Sequence, residues 1–178
     1  MQRFGINHVI ALTICILPIL APIYAEKSVN LTKLGHYRYT HNFFLKIYDV
    51  TLYSIEPCSR EKLLSGDVPF ELEFTYLREI QRNDIIKVSN RMLEKNLSAQ
   101  EILALSDQIK SLHSAYRPVR KGDTSILRYS PSNGTTLIIN GMEIIQLPSK
   151  LTCLYFRIWL GDDPISLQMR ESLTTYKD

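Results

Sequence analysis

Three short apolar runs, Ser125–Tyr129, Thr135–Ile139 and Met142–Leu147, are separated by Asn133-Gly134 and Asn140-Gly141. Asn-Gly suits a tight hairpin because both residues accept positive φ, and the resulting turn matches the twist of the flanking strands. The spacing therefore predicts a three-stranded antiparallel meander. A sheet of this kind must bury one face against another layer, and the rest of the chain has to supply that cover.

Two amphipathic segments upstream are suited to it. From Asn83 the apolar period becomes helical, with Ile85, Ile86, Met92, Leu93 and Leu97 on one face. Ser98-Ala99-Gln100-Glu101 is a capping box. It opens a second helix expected to turn Ile102, Leu103, Leu105, Ile109 and Leu112 inward, and Arg117–Asp123 closes the pair. Before the helices, His36–His41, Phe43–Ser54 and Phe70–Leu77 alternate as strands, and Arg60–Leu64 forms a helical turn or two ended at Gly66. Both alternating sets of Phe43–Ser54 carry apolar members, so both faces of that strand are expected to be covered. Lys46 and Asp49 inside it then require a partner or a cleft. At the C-terminus, Ile158-Trp159-Leu160-Gly161-Asp162-Asp163-Pro164 reads as a corner between two helices. Gly161 is expected to end the first in a left-handed cap. Asp162 or Asp163 would cap the second, with Pro164 in its first turn.

The first 25 residues are of a different material. Arg3 is their single charge, and Val9–Leu17 is an apolar run followed by Pro18 and by Ala21-Pro22-Ile23-Tyr24-Ala25. This is the pattern of a secretory signal peptide cut after Ala25. The run is too short, and too broken by proline, for a retained span. Residues 26–178 then form one domain, of a size that buries a core without staples. The expectation is export to the periplasm, with no stable membrane span after cleavage. Two cysteines remain, Cys58 and Cys153. An oxidising compartment would allow a disulfide between them, and two independent buried thiols fit equally well.

Several function classes find no support. A net charge of +3 is spread among interleaved acids, which argues against a nucleic-acid groove. No signature of a serine hydrolase, zinc protease, P-loop or dinucleotide fold is present. The four histidines are scattered, so neither a metal site nor a cofactor is expected. Arg38, Lys46, Tyr48 and Asp49, with Tyr37 and Tyr39, stand out on one strand pair. A guanidinium and phenols at the rim of an apolar slot bind organic anions well. Alternatively, Arg38 and Lys46 pair with acids such as Asp49 and the tyrosines fill the core.

These residues resemble a known family. Gly35-x-x-Arg38, Phe44-x-Lys46-x-Tyr48 and Leu52-Tyr53 are similar to the opening strands of the chalcone isomerase fold, in particular to bacterial exported chalcone isomerase-like proteins. The likeness continues through Lys121-Gly122-Asp123, Tyr129-Ser130-Pro131, Gly134–Leu137 and Asn140-Gly141 to the Trp159 corner. It implies an α+β open-faced β-sandwich of chalcone isomerase type: a large antiparallel sheet, a helical layer on one face and a ligand cleft between them. The plant enzymes close a flavanone ring with an arginine, a strand threonine, a tyrosine, an asparagine and a Ser/Thr. Carried over, Arg38 matches the arginine, Asn90 the asparagine and Ser166 the Ser/Thr. Asp49 replaces the threonine and Asn83 the tyrosine. Losing the tyrosine removes a partner for the reacting ketone, and Asp49 beside Arg38 would cancel the charge that stabilises a phenolate.

The resemblance thus implies a non-catalytic periplasmic protein that binds a small apolar or amphipathic ligand such as a fatty acid. Arg38 is the expected polar anchor, supported by Lys46, Tyr48 and Asp49. One alternative is an intramolecular lyase or isomerase acting on a non-flavonoid substrate through Arg38, Asn90 and Ser166. Another is a structural or partner-binding protein whose cleft is filled by its own side chains. No protein partner is identifiable from the sequence.

Overall fold

The computed structural model describes residues 30–42, 44–55 and 58–174. The expected signal segment lies outside them. All six strands join one antiparallel sheet in chain order: β1 (Thr32–His41), β2 (Leu45–Ser54), β3 (Phe70–Tyr76), β4 (Thr124–Ser130), β5 (Gly134–Ile139) and β6 (Met142–Leu147). The three-stranded meander is therefore half of a longer one. Ile139 pairs with Met142 across Asn140 and Gly141, at φ of 48° and 79°, the geometry that makes Asn-Gly the preferred filler of that turn.

Period-two alternation separates the two faces. On β2, Tyr48, Val50, Leu52 and Ser54 are buried, whereas Asp49, Thr51 and Tyr53 are half-buried. The inner face continues through Phe70, Leu72 and Phe74 of β3, Leu127 and Tyr129 of β4 and Leu137 of β5. Each such side chain, fully buried, contributes about 1.5–3 kcal/mol. Among the described residues, helices cover this face alone. The outer positions of β2 form a polar surface with no helical layer over it, which corrects the reading of a strand covered on both sides. The apolar look of its outer set came from Tyr53 and from Leu45 and Ile47, which a register shift against β1 turns toward the covered side.

The cover comprises α2 (Arg82–Asn96), α3 (Ala99–Ala104), α4 (Ser106–Ala115), a 3-10 turn (Lys150–Phe156), α5 (Arg157–Leu160) and α6 (Leu167–Thr174), with a short α1 (Arg60–Leu64) beside them. The capping box at Ser98 and Glu101 forms as read. The helix it opens breaks at Leu105, however, and Leu103 ends 74% exposed rather than inward. Leu105 and Leu112 are buried as expected. The 3-10 turn and α5 pack on the centre of the sheet, with Phe156 4.6 Å from Phe70 and Trp159 5.1 Å from Phe74 between ring centres.

The Trp159 corner keeps its position but not the expected mechanism. Gly161 has φ −71° and ψ −173°, ordinary extended backbone, so it is not a left-handed cap. A side chain there would collide with Asn96 and with the carbonyl of Arg157. Asn96, at the end of α2, holds the corner: its Nδ2 donates to the Asp163 carbonyl at 2.7 Å, and its Oδ1 accepts from the Asp163 N–H at 3.0 Å. The cap of α6 is Ser166, whose Oγ accepts the Met169 N–H at 3.2 Å, rather than Asp162 or Asp163. Asp162 instead accepts from Arg60 at 2.8 Å. Gly35 has a similar steric role: α6 crosses β1 so closely that a Cβ at Gly35 would strike the backbone of Ser172 and Leu173.

Candidate functional site: an aromatic cleft behind the sheet

One end of the sheet does not close against the helices. There, β1–β4 and the first turns of α2 part around a cavity of about 490 Å³. Its walls are apolar, formed by Phe74, Val88, Leu127, Leu137, Ile158 and Trp159. Four tyrosines, Tyr39, Tyr48, Tyr76 and Tyr116, bring hydroxyls to it, and His41, Arg78, Glu79, Asp84 and Arg91 are exposed along its rim.

Strand register sets this lining. Tyr39 stands opposite Tyr48, and Thr40 stands opposite Lys46, so Ile47 is an extra residue bulged into β2. A bulge places two consecutive residues opposite one. Ile47 and Tyr48 both face the cavity as a result, Leu45 also lines it, and Lys46 is turned outward. Tyr48 is packed between aromatic neighbours, with ring centres 5.3 Å from both Tyr39 and Phe74 and 6.4 Å from Tyr76.

The hydroxyls differ in how they are satisfied. Tyr76 shares a 2.9 Å hydrogen bond with Ser125. Tyr116 joins Tyr155 at 3.1 Å, and Tyr155 joins His113 Nε2 at 3.1 Å, a buried chain that leads away from the cavity. Arg82 locks the end of α4 in place by donating to the carbonyls of His113 and Tyr116 at 2.7 and 2.9 Å. The hydroxyl of Tyr48 has no well-formed hydrogen bond among the described residues; the Trp159 indole is near enough to pull against the rise in pKa that burial causes but does not satisfy it. An unpaired buried hydroxyl costs about 1–3 kcal/mol, which a water or a ligand oxygen would relieve.

Burial governs the ionisation of these groups. It pushes the phenols of Tyr48, Tyr76 and Tyr116 above their usual range, and Tyr155 up to about 12. Tyr39 is raised by burial although the positive charge of Arg91 pulls the other way. Burial, aided by the charge of Arg82, lowers His113 to about 4. At neutral pH the walls of the cleft thus present neutral hydroxyls, and the imidazole of His113 behind them is neutral too. These hydroxyls can solvate a polar atom of a bound molecule, and the charged groups stand at the rim. Among the described residues no group of three His, Cys, Asp or Glu side chains is placed to hold a metal.

Of the residues picked out by sequence, Tyr48 and Tyr39 line this cavity, with Trp159 of the C-terminal corner. Arg38 and Asp49 project from the opposite face, where Nε and Nη2 of Arg38 grip the two carboxylate oxygens of Asp49 at 2.7 and 2.9 Å. Lys46 lies on that outer face too. Asn90 lines a separate groove of about 420 Å³ between α2 and α4, and Asn83 is exposed on the first turn of α2. Ser166 is spent as the α6 cap. Arg38, Asn90 and Ser166 therefore do not converge, because they sit on different sides of the sheet and helices. Cys58 and Cys153 are free thiols. Cys153 Sγ donates to the Leu64 carbonyl at 3.7 Å, and Cys58 Sγ to Ser54 Oγ at 3.5 Å.

Fold and site together define a single antiparallel sheet with a one-sided helical layer and an apolar cleft between them. Within that class the identity is specific. A family model for chalcone isomerase-like proteins matches residues 23–174, and the chain belongs to that family. No curated protein matches it. Among solved structures it is similar to an Arabidopsis thaliana fatty-acid binding protein, with TM-score 0.64 and 13% identity over 81% of this chain and 86% of that one. That likeness is one of fold.

Proposed function

We propose that this protein binds one small amphipathic or apolar molecule, of the acyl-chain class, in the cleft between sheet and helices, and that it does so without catalysis. The observation that carries this reading is the cavity itself. Its volume of about 490 Å³ is in the range of small-molecule sites. It is walled by Phe74, Leu127, Ile158 and Trp159 and contains the Tyr48 hydroxyl, which has no well-formed hydrogen bond among the described residues. The solved relative in fold, a fatty-acid binding protein, adds support. So does the divergence of Arg38, Asn90 and Ser166, which leaves that carried-over set unassembled.

Export through the N-terminal 25 residues belongs to the same reading: the protein would meet its ligand in the periplasm. Displacement of a fluorescent fatty acid tests the binding, with native mass spectrometry of the purified protein alongside. Saturable one-to-one binding and a co-purified small molecule are expected. No saturable binding across a panel of fatty acids, alcohols and esters, together with a bare protein mass, would overturn it.

A further inference from the structure

The rim of the cleft carries the most exposed large apolar side chain among the described residues, Phe44, at 80%. It sits in the turn between β1 and β2, next to Leu45, itself 37% exposed and part of the cleft lining. The exposed lining residues His41, Leu45, Arg78, Glu79, Asp84 and Arg91 all lie at this one edge of the sheet and on the facing turns of α2. The cavity therefore opens beside the hairpin tip. Leu103 and Met142 are exposed too, but they do not line the cleft, and scattered single apolar residues are normal on a surface.

Charge favours one kind of partner. Lys46, Arg78 and Arg91 flank the tip, and none forms a salt bridge among the described residues. Arg78 reaches only the Glu79 carbonyl at 3.4 Å. The carboxylates on the same rim are Glu79, which accepts from Gln81 at 2.7 Å, and Asp84. The tip thus sets an aromatic and an aliphatic side chain beside one outward-facing cation, Lys46, and the cleft rim next to them carries two cations, Arg78 and Arg91, against two carboxylates. Aromatic side chains favour the headgroup level of a bilayer, and cations are drawn to its anionic surface.

We propose that the β1–β2 hairpin tip seats the protein on an anionic phospholipid bilayer. Phe44 and Leu45 enter the boundary between headgroups and acyl chains, and the ligand passes between bilayer and cleft without crossing water. The proposal rests on the reading of the cleft as an apolar-ligand site. Two apolar side chains and a small excess of positive charge give weak, reversible attachment, which suits a carrier that must leave with what it binds.

The test places a reporter at the tip of the full-length chain. In Phe44→Trp, the new indole is read against the wild-type protein, whose single tryptophan is the buried Trp159. Vesicles of phosphatidylglycerol and phosphatidylcholine should shift its emission to the blue, and bromine-labelled acyl chains should quench it. Pure phosphatidylcholine should do so more weakly. Adding Lys46→Gln should lower vesicle partition about fivefold. Transfer of a fluorescent fatty acid from protein to vesicles should speed up with vesicle concentration, and Phe44→Ser should slow it while leaving affinity for the probe intact. An indole that stays water-exposed and unquenched would overturn the proposal. So would transfer independent of vesicle concentration, or an emission shift that follows protein concentration without lipid and so assigns the tip to self-association. If the wild type fails to bind the fatty acid at all while the tip still inserts, it is the cleft reading that fails.

Discussion

The two faces of the sheet solve the same problem in opposite ways. On the outer face, two pairs of charged groups meet: Arg38 with Asp49, and Arg128 with Glu71 at 2.9 Å. Each pair spends part of its hydrogen-bonding capacity on its own partner, while Lys46 on the same face has no salt bridge among the described residues. On the inner face, the polar groups of the cleft walls are hydroxyls without charge, and the one on Tyr48 has no well-formed hydrogen bond among the described residues. The face that looks chemically richer in sequence is thus the one whose charges largely meet each other. The face that looks like plain core keeps an unmet demand.

The contrast is open to measurement, starting with the largest effect. Phe70, fully buried between Tyr129 and Phe156, carries much of the inner packing. Phe70→Ala should cost about 3–5 kcal/mol in urea unfolding, while Thr51→Ala on the outer face should stay within about 0.5 kcal/mol. Comparable losses at the two positions would break the distinction.

His113 comes next. Its folded pKa, near 4, lies below the unfolded value of about 6.5. The unfolded chain therefore binds the extra proton first, and stability should fall as pH drops from about 6.5 toward 4. The loss should be on the order of 2 kcal/mol. Unfolding curves for His113→Gln, which keeps a hydrogen-bonding group for Tyr155 but cannot titrate, should show a flatter profile across that window.

The cleft itself gives a third comparison. Val88→Trp should fill the cavity and weaken probe binding about tenfold or more. Arg38→Ala, on the far face, should change it by less than about twofold. Equal losses in a displacement assay would return Arg38 to the site.

The smallest effect is expected at Asp49. The hydrogen bond and charge of Arg38 hold its carboxyl below the usual range. A depressed carboxyl pKa stabilises above the unfolded value of about 3.9 and loses that contribution as pH falls through the folded value. Asp49→Asn should therefore cost at most about 1 kcal/mol at neutral pH, since the pair is open to solvent. The difference from wild type should vanish in acid.

Much of the fold was legible because local signals and the global sheet agree. Asn140-Gly141 demanded a turn whose φ values the structure adopts, and Ser98 with Glu101 marked a helix start that is present. The resemblance carried the rest of the architecture, down to the one-sided helical layer. The site was not legible, for physical reasons. Charge drew attention to Arg38 and Asp49, but a strand's faces alternate with every residue, and each lies one position from a cleft tyrosine. Tyr39, Tyr48, Tyr76 and Tyr116 converge from separate segments, and no local pattern distinguishes them from core filler. Leu103 misled in another way: the periodicity assumed one continuous helix, and the break at Leu105 turned it to solvent.

The bulge at Ile47 carries a consequence beyond its geometry. It acts as a phase slip within β2. With the slip, Leu45 lines the cleft and Lys46 faces away. Paired straight, the same residues would exchange places, and an ammonium would stand where an aliphatic side chain now does. One stretch of sequence thus encodes two entrances, one greasy and one cationic, and the position of a single unpaired residue selects between them. A lineage that moved the slip would change which molecules its cleft admits without altering one amino acid in β2.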